Sequence, residues 1–404
     1  MSQTHDRPPS ARPARTARRP RVAVLWAELS GYMSSQLLAL LDRDVDLVVF
    51  HEVSSSTAPF DPEALTQGLR AHAWSGSPDE AEVEQVLDGF DPDALLVISW
   101  NYGAYRRIAR RWRGRTLRVL CMDNQWWGTP KQWGGVAVSR LVIRPAYDVA
   151  LVAGERQADF ARRLGFTSEQ LMWGVYTGDH RRFARVAEER KGALPPEAFL
   201  YVGRLVADKA VDVLAEGYRR YRRETHTPWR LVVAGTGPDD HMLAGIEGVE
   251  MLGFVQPADL PEAFTRAGCL VLPSRFEPWA VVIHEAASAA LPVICTWVCG
   301  ASTRLVLDGY NGVVMSPDDP EAVAIALHRI SELSPVERRA MGEASASLAR
   351  QYSPERWAEN LLRRLPELRA AAGMTPAPWS PAPVASLPPR AVIRRSRPRE
   401  GDLL

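Results

Sequence analysis

Pro273-Ser-Arg-Phe-Glu-Pro-Trp-Ala-Val-Val-Ile-His-Glu285, followed by Leu291-Pro-Val-Ile294, sets two carboxylates, Glu277 and Glu285, eight positions apart. An apolar run, Cys269-Leu-Val-Leu272, leads into the first of them. Pro278 suits the first position of a helix, where its missing N–H costs nothing, and Glu285 falls inside the apolar-periodic segment that follows. At about 1.5 Å of rise per residue the acids stand roughly 10–12 Å apart along that axis, about the span of a sugar–diphosphate–ribose unit. The helix N-terminus between them offers free N–H groups and the positive end of the dipole to phosphate. One carboxylate can hold sugar hydroxyls while the other accepts both vicinal hydroxyls of a ribose. Two glutamates at this spacing alone more often mark a solvated helix face. The buried strand running into the first one, and matching segments elsewhere, weigh against that here.

Upstream, Phe199-Leu-Tyr-Val-Gly203 is a strand ending in glycine, followed by two cations five positions apart, Arg204 and Lys209. Glycine lets the backbone turn and approach a ligand closely. The arginine fork suits phosphate oxygens, and lysine adds a mobile point charge. Leu231-Val-Val-Ala-Gly235-Thr-Gly237 and Met251-Leu-Gly253-Phe-Val255 are further strands that end near glycines. Gly-x-Gly alone is a weak signal, and tight strand-to-helix geometry explains it.

Taken together, Gly203-Arg204…Lys209 and Glu277-x7-Glu285, the latter between Leu-Pro-Ser and Leu-Pro-Val, resemble the signature of the retaining GT-B glycosyltransferases of family 4. The resemblance implies an α/β fold of two facing Rossmann-like, doubly wound domains with a cleft between them. It implies transfer of a sugar from a UDP-, GDP- or ADP-sugar to an acceptor hydroxyl, retaining the anomeric configuration, with no metal and no further cofactor. The acceptor would be a glycan, glycolipid or small molecule. Catalytic parts fall to Glu277, at the donor sugar's hydroxyls, and to Arg204 and Lys209, at the diphosphate. Donor binding falls to Gly203, to Glu285 at the ribose, to the backbone around Trp279, Ala280 and Val281, and to Gly31 in the turn after the first strand. There the alternative is an ordinary turn capped by Ser30.

The chain departs from the family pattern in places. Ala280 stands where glycine usually follows the aromatic, and Cys299-Gly300 replaces a glycine pair, with no acid after it. Where many relatives place a histidine, this chain has Asp123 and Asn124. Asp123 either orients a sugar hydroxyl or caps the next segment, and Trp126 either stacks on an acceptor sugar or packs the core. These departures keep open a non-catalytic GT-B scaffold that binds a nucleotide sugar or a partner glycosyltransferase. A nucleotide-sugar epimerase is the other alternative.

A chain of 404 residues suggests two domains, and a net charge of +1 gives no push toward nucleic acid. Alternating apolar runs and helical segments argue for parallel βα units. Strands are predicted at 22–26, 45–50, 95–98, 118–122, 149–153 and 171–175, then at 198–202, 230–234, 250–254, 269–272, 292–296 and 312–315. The division follows as a basic tail (1–20), an acceptor-side domain (21–187), a linker (188–197) and a donor domain (198–352). A final helix (353–369), which the resemblance returns to the first domain, precedes a Pro/Ala/Arg-rich tail (370–404). Both tails are expected to be disordered. Cys121, Cys269, Cys295 and Cys299 lack the partners of a zinc set and read as buried, reduced thiols in a cytoplasmic protein. The arginine-rich stretch 104–118 raises weak contact with an anionic membrane as a further expectation.

Overall fold

A computed structural model describes residues 18–53, 59–375 and 379; most of both arginine-rich ends, with their expected disorder, lies outside these. The first sheet comprises β1 (Arg21–Glu28), β2 (Asp46–Glu52), β3 (Ala71–Trp74), β4 (Ala94–Ile98), β5 (Leu117–Met122), β6 (Val149–Val152) and β7 (Leu171–Trp173). The second comprises β8 (Ala198–Val202), β9 (Arg230–Ala234), β10 (Val249–Gly253), β11 (Cys269–Leu272), β12 (Val293–Thr296) and β13 (Gly312–Met315). Their orders are β3-β2-β1-β4-β5-β6-β7 and β10-β9-β8-β11-β12-β13, and every pairing is parallel. Helices cover both faces of such sheets, so the strands are buried throughout and read as unbroken apolar runs. Val22–Leu25, Leu95–Val97 and Leu270–Val271 are fully buried.

All twelve predicted strands are present. The thirteenth, β3, was not predicted, because Ala-His-Ala-Trp sits at the sheet edge, pairs only with β2, and is half-exposed. It therefore never forms an apolar run. In each sheet the strand order reverses beside its first strand, between β1 and β4 and between β8 and β11. Loops diverge at such a reversal and open a crevice at the C-terminal strand ends.

The helix after Glu277 begins at Val281, not Pro278. Ala280 precedes it with φ 75°, a left-handed conformation that glycine favours. Ala280 thus keeps the backbone turn expected of a glycine and adds a β-carbon to it.

Most arginines of the stretch 104–118 have partners within the chain. Arg107 and Arg111 pair with Glu80, Arg111 also with Glu84, Arg115 with Asp88 and Arg118 with Asp148. Arg106 and Arg110 donate to the carbonyls of Trp100 and Leu141. Among the described residues no helix is long and apolar enough to cross a membrane. All four cysteines are free and buried.

The last helix, Pro354–Ala371, packs on Gly31–Leu41 of the first half. Its Arg369 donates to the Asp93 carbonyl and lies 4.0 Å from the Asp93 carboxylate. Asp93, 2% exposed, also binds the Arg18 guanidinium at 2.7 and 2.8 Å and the Arg21 N–H at 2.9 Å. Removing one partner of a buried pair strands the other charge, at about 3–5 kcal/mol. Asp93→Ala is therefore expected to lower the urea midpoint by a corresponding amount; an unchanged midpoint would show that the final helix is held by its apolar face alone.

Candidate active site

β8 delivers Gly203 and Arg204 to the crevice. A hydroxyl bond from Tyr201 to the Arg204 carbonyl, 2.8 Å, steadies that loop. The neighbouring β9 ends in Gly235, where an added β-carbon would stand 1.9 Å from the Gly203 carbonyl oxygen. That glycine is required because two backbones meet there. β11 delivers the segment 273–280, with Glu277 at its turn and Glu285 on the helix Val281–Ser288.

A cavity of about 350 Å³ gathers Arg204, Lys209, Glu277 and Glu285 along one wall system, with Gly203, Trp279, Ala280 and Val281 beside them. The first half contributes Tyr32, Asp123 and Tyr176. A second cavity of about 210 Å³ shares Tyr32, Gly203, Arg204 and Glu285 with the first, and continues past Gly31, Thr236, Phe254 and Val255. The crevice is thus one groove, charged at its centre and apolar at its far end.

The Lys209 ammonium pairs with the Glu277 carboxylate, both largely buried. Arg204 is exposed in the groove and makes no side-chain bond within the described residues. Burial, reinforced by the nearby Asp179 carboxylate and opposed by Arg182, pushes the Glu285 carboxyl up to about 7. Burial also raises Asp123, against the hydrogen bond that the Tyr176 hydroxyl donates to it at 3.2 Å.

The two halves are joined directly at this groove. The Gln125 amide donates to the carbonyls of Glu277 and Val298, each at 2.8 Å. The Gln157 amide donates to the Pro278 carbonyl at 2.7 Å. An added β-carbon at Gly154 would stand 2.7 Å from the Trp279 ring, so that ring is wedged between the halves. Gly31 opposes Pro257 in the same way, at 2.7 Å. The Gly178 N–H donates to His284 Nδ1 at 2.7 Å, so Nε2 carries the proton and bonds the Ala349 carbonyl at 3.1 Å. Burial holds this histidine neutral, with its pKa lowered to about 4.

Residues 196–332 match the family of glycosyl transferases group 1. The Alpha-D-kanosaminyltransferase of Streptomyces kanamyceticus is 30% identical over 229 residues, which are 53% of this chain and 58% of that protein. The chain therefore spans less than two thirds of that relative. The D-inositol 3-phosphate glycosyltransferase 2 of Catenulispora acidiphila is 32% identical over 335 residues, covering 71% of this chain and 78% of that protein. The chain belongs to the glycosyl transferases group 1 family. Its architecture superposes on the HepE protein of Anabaena in complex with UDP and glucose with a TM-score of 0.65, at 15% identity, over 84% of this chain and 98% of that one. At that identity the likeness shows the GT-B fold.

For this group 1 chain the structure brings Arg204, Lys209, Glu277, Glu285, Gly203, Trp279, Ala280, Val281, Gly31 and Asp123 to the groove. Trp126 is not brought there. It packs edge-on to Trp133 at 5.1 Å and under the Arg163 guanidinium at 4.6 Å, and also touches Phe160. Asn124 lines neither cavity. Asp123 is no helix cap, since Thr129 caps the next helix, and Ser30 makes no capping bond despite its position. Sequence reasoning missed Tyr32, Tyr176, Asp179 and Arg182. None of the four carries a phosphate- or sugar-binding pattern of its own, and only the facing of the two halves brings it in.

The raised Glu285 group means that the folded chain binds this proton more tightly than the unfolded chain does. Its contribution to stability is complete below about 4.5, the ordinary glutamate value, and is lost as pH rises through about 7. The loss reaches at most about 1.4 kcal/mol per pH unit. Glu285→Gln is expected to flatten the decline in urea stability between those values; the same slope in variant and wild type would place the titration elsewhere.

Proposed function

We propose that this chain transfers a sugar from a nucleoside diphosphate sugar to an acceptor hydroxyl, with retention of configuration. The observation that carries this reading is the convergence of Arg204, Lys209, Glu277 and Glu285 on one cavity at the C-terminal strand ends. Arg204 and Lys209 then take up the charge that develops on the leaving diphosphate, where preorganised cations help most. Glu277 holds donor-sugar hydroxyls near the reacting carbon, and Glu285 accepts the ribose hydroxyls. The apolar end of the groove, with Phe254 and Val255, has room for the base. Asp123, Tyr32 and Tyr176 form the facing wall, where an acceptor or the sugar's far hydroxyls would lie. Grips across the groove by Gln125 and Gln157 exclude water, which otherwise competes as acceptor.

Lys209 and Glu277 neutralise each other. An incoming diphosphate draws the ammonium toward itself and leaves Glu277 free for hydroxyls. Ala280 argues against a merely structural descendant, since it holds the turn a glycine would hold and still lines the cavity. No membrane contact forms part of this reading.

A panel of UDP-, GDP- and ADP-sugars with a library of acceptors, read by mass spectrometry and by NMR of the new anomeric centre, tests the proposal. At least one pair is expected to give product with the donor's configuration, and Arg204→Ala to lower turnover by about 10²–10³-fold. Donor binding without turnover across the library would favour the scaffold, and an inverted product would refute retention.

A further inference from the structure

Behind the groove, and sharing no residue with it, a cavity of about 690 Å³ lies between the linker and the second half. Its wall is unusually cationic. Lys191 and Glu188 cancel by pairing with each other. Arg190 donates to the Ala267 carbonyl but has no carboxylate within ion-pair reach, and burial alone lowers its pKa. Arg338 is 3% exposed and lies over the Trp229 ring at 4.7 Å. The nearest acid, Glu197, is 3.6 Å from its Nη2, and its Nε is buried with no hydrogen-bond partner. Arg350 makes no side-chain bond or ion pair within the described residues, and its charge helps burial to lower the pKa of the nearby His180. Glu343 is the one acid on this wall left to oppose them.

Arg190, largely enclosed with no carboxylate in reach, and Arg338, whose buried Nε has no partner, both gain from an anion that pairs with them. We infer that this cavity is a second, separate anion site, built for a phosphate-bearing small molecule. Planar guanidinium forks match phosphate oxygens in pairs, and Arg190, Arg338 and Arg350 approach the cavity from two different segments. At its end, His180 Nδ1 and the Ser288 hydroxyl are 3.0 Å apart and add polar atoms to the same wall. Ser288 closes the helix that carries Glu285, and Arg190 follows the helix His180–Glu189 that leads out of the first half. An anion held here ties the linker to the second half and braces the helix that carries Glu285.

The test uses inorganic pyrophosphate as probe, titrated calorimetrically into the full chain at near-physiological salt. The cleft is first disabled by Arg204→Ala with Lys209→Ala, so that binding there cannot contribute. Binding is expected to persist in that background and to weaken about tenfold or more when Arg350→Glu is added. Arg350→Lys keeps the charge but not the fork, and is expected to weaken binding less than Arg350→Glu does. Arg350 is exposed and unpartnered, so circular dichroism is expected to show an intact fold in both variants. Pyrophosphate binding that vanishes with Arg204 and Lys209, or that ignores Arg350→Glu in their absence, would overturn the second site.

Discussion

Two amide side chains of the first half, Gln125 and Gln157, grip the backbone carbonyls of Glu277 and Pro278 in the second. Everything proposed for the groove depends on that grip. It sets the loop that carries Glu277, and with it the start of the helix that carries Glu285. It also brings Asp123, Tyr32 and Tyr176 against the four charged groups delivered from the second sheet. Each half alone would expose only a strand-end loop with scattered charges, and neither would enclose a site.

Much of the fold was legible because parallel strands buried on both faces leave continuous apolar runs, such as Val119-Leu-Cys-Met122 and Cys269-Leu-Val-Leu272. Where one face was open the signal failed, as in β3. The charged centre of the groove was legible for a different reason: Gly203-Arg204, Lys209 and the two glutamates lie close to strand ends and keep their spacing in the chain. The facing wall was not. Tyr32, Tyr176 and Arg182 follow ordinary helix and turn patterns, and their place depends on how two separately folded sheets meet. The pairing of the arginines in 104–118 was equally illegible. Their partners, Glu80, Glu84 and Asp88, stand on a helix some twenty-five residues earlier, and the run itself gives no sign of them.

Trp126 and Ser30 make the same point at single residues. Both have the chemistry for the part foreseen, an aromatic platform and a helix cap. Local packing gave the first to Trp133, Phe160 and Arg163, and the groove took the second. The departures from the family pattern proved milder in three dimensions than on paper. Ala280 adopts the left-handed turn despite its β-carbon, and at Gly300, which survives from the expected pair, an added β-carbon would stand 2.1 Å from the Pro278 carbonyl oxygen.

The charge arrangement in the groove has a sharp consequence. Lys209 is held by Glu277 while Arg204 stands free, so a diphosphate must compete for one cation and simply meets the other. A crystal structure with a bound nucleoside diphosphate reads this directly. The account predicts phosphate oxygens within hydrogen-bond distance of both Arg204 and Lys209, ribose hydroxyls on Glu285, and Lys209 drawn off Glu277. A nucleotide bound elsewhere, with the Lys209–Glu277 pair intact and Arg204 still facing solvent, would contradict it.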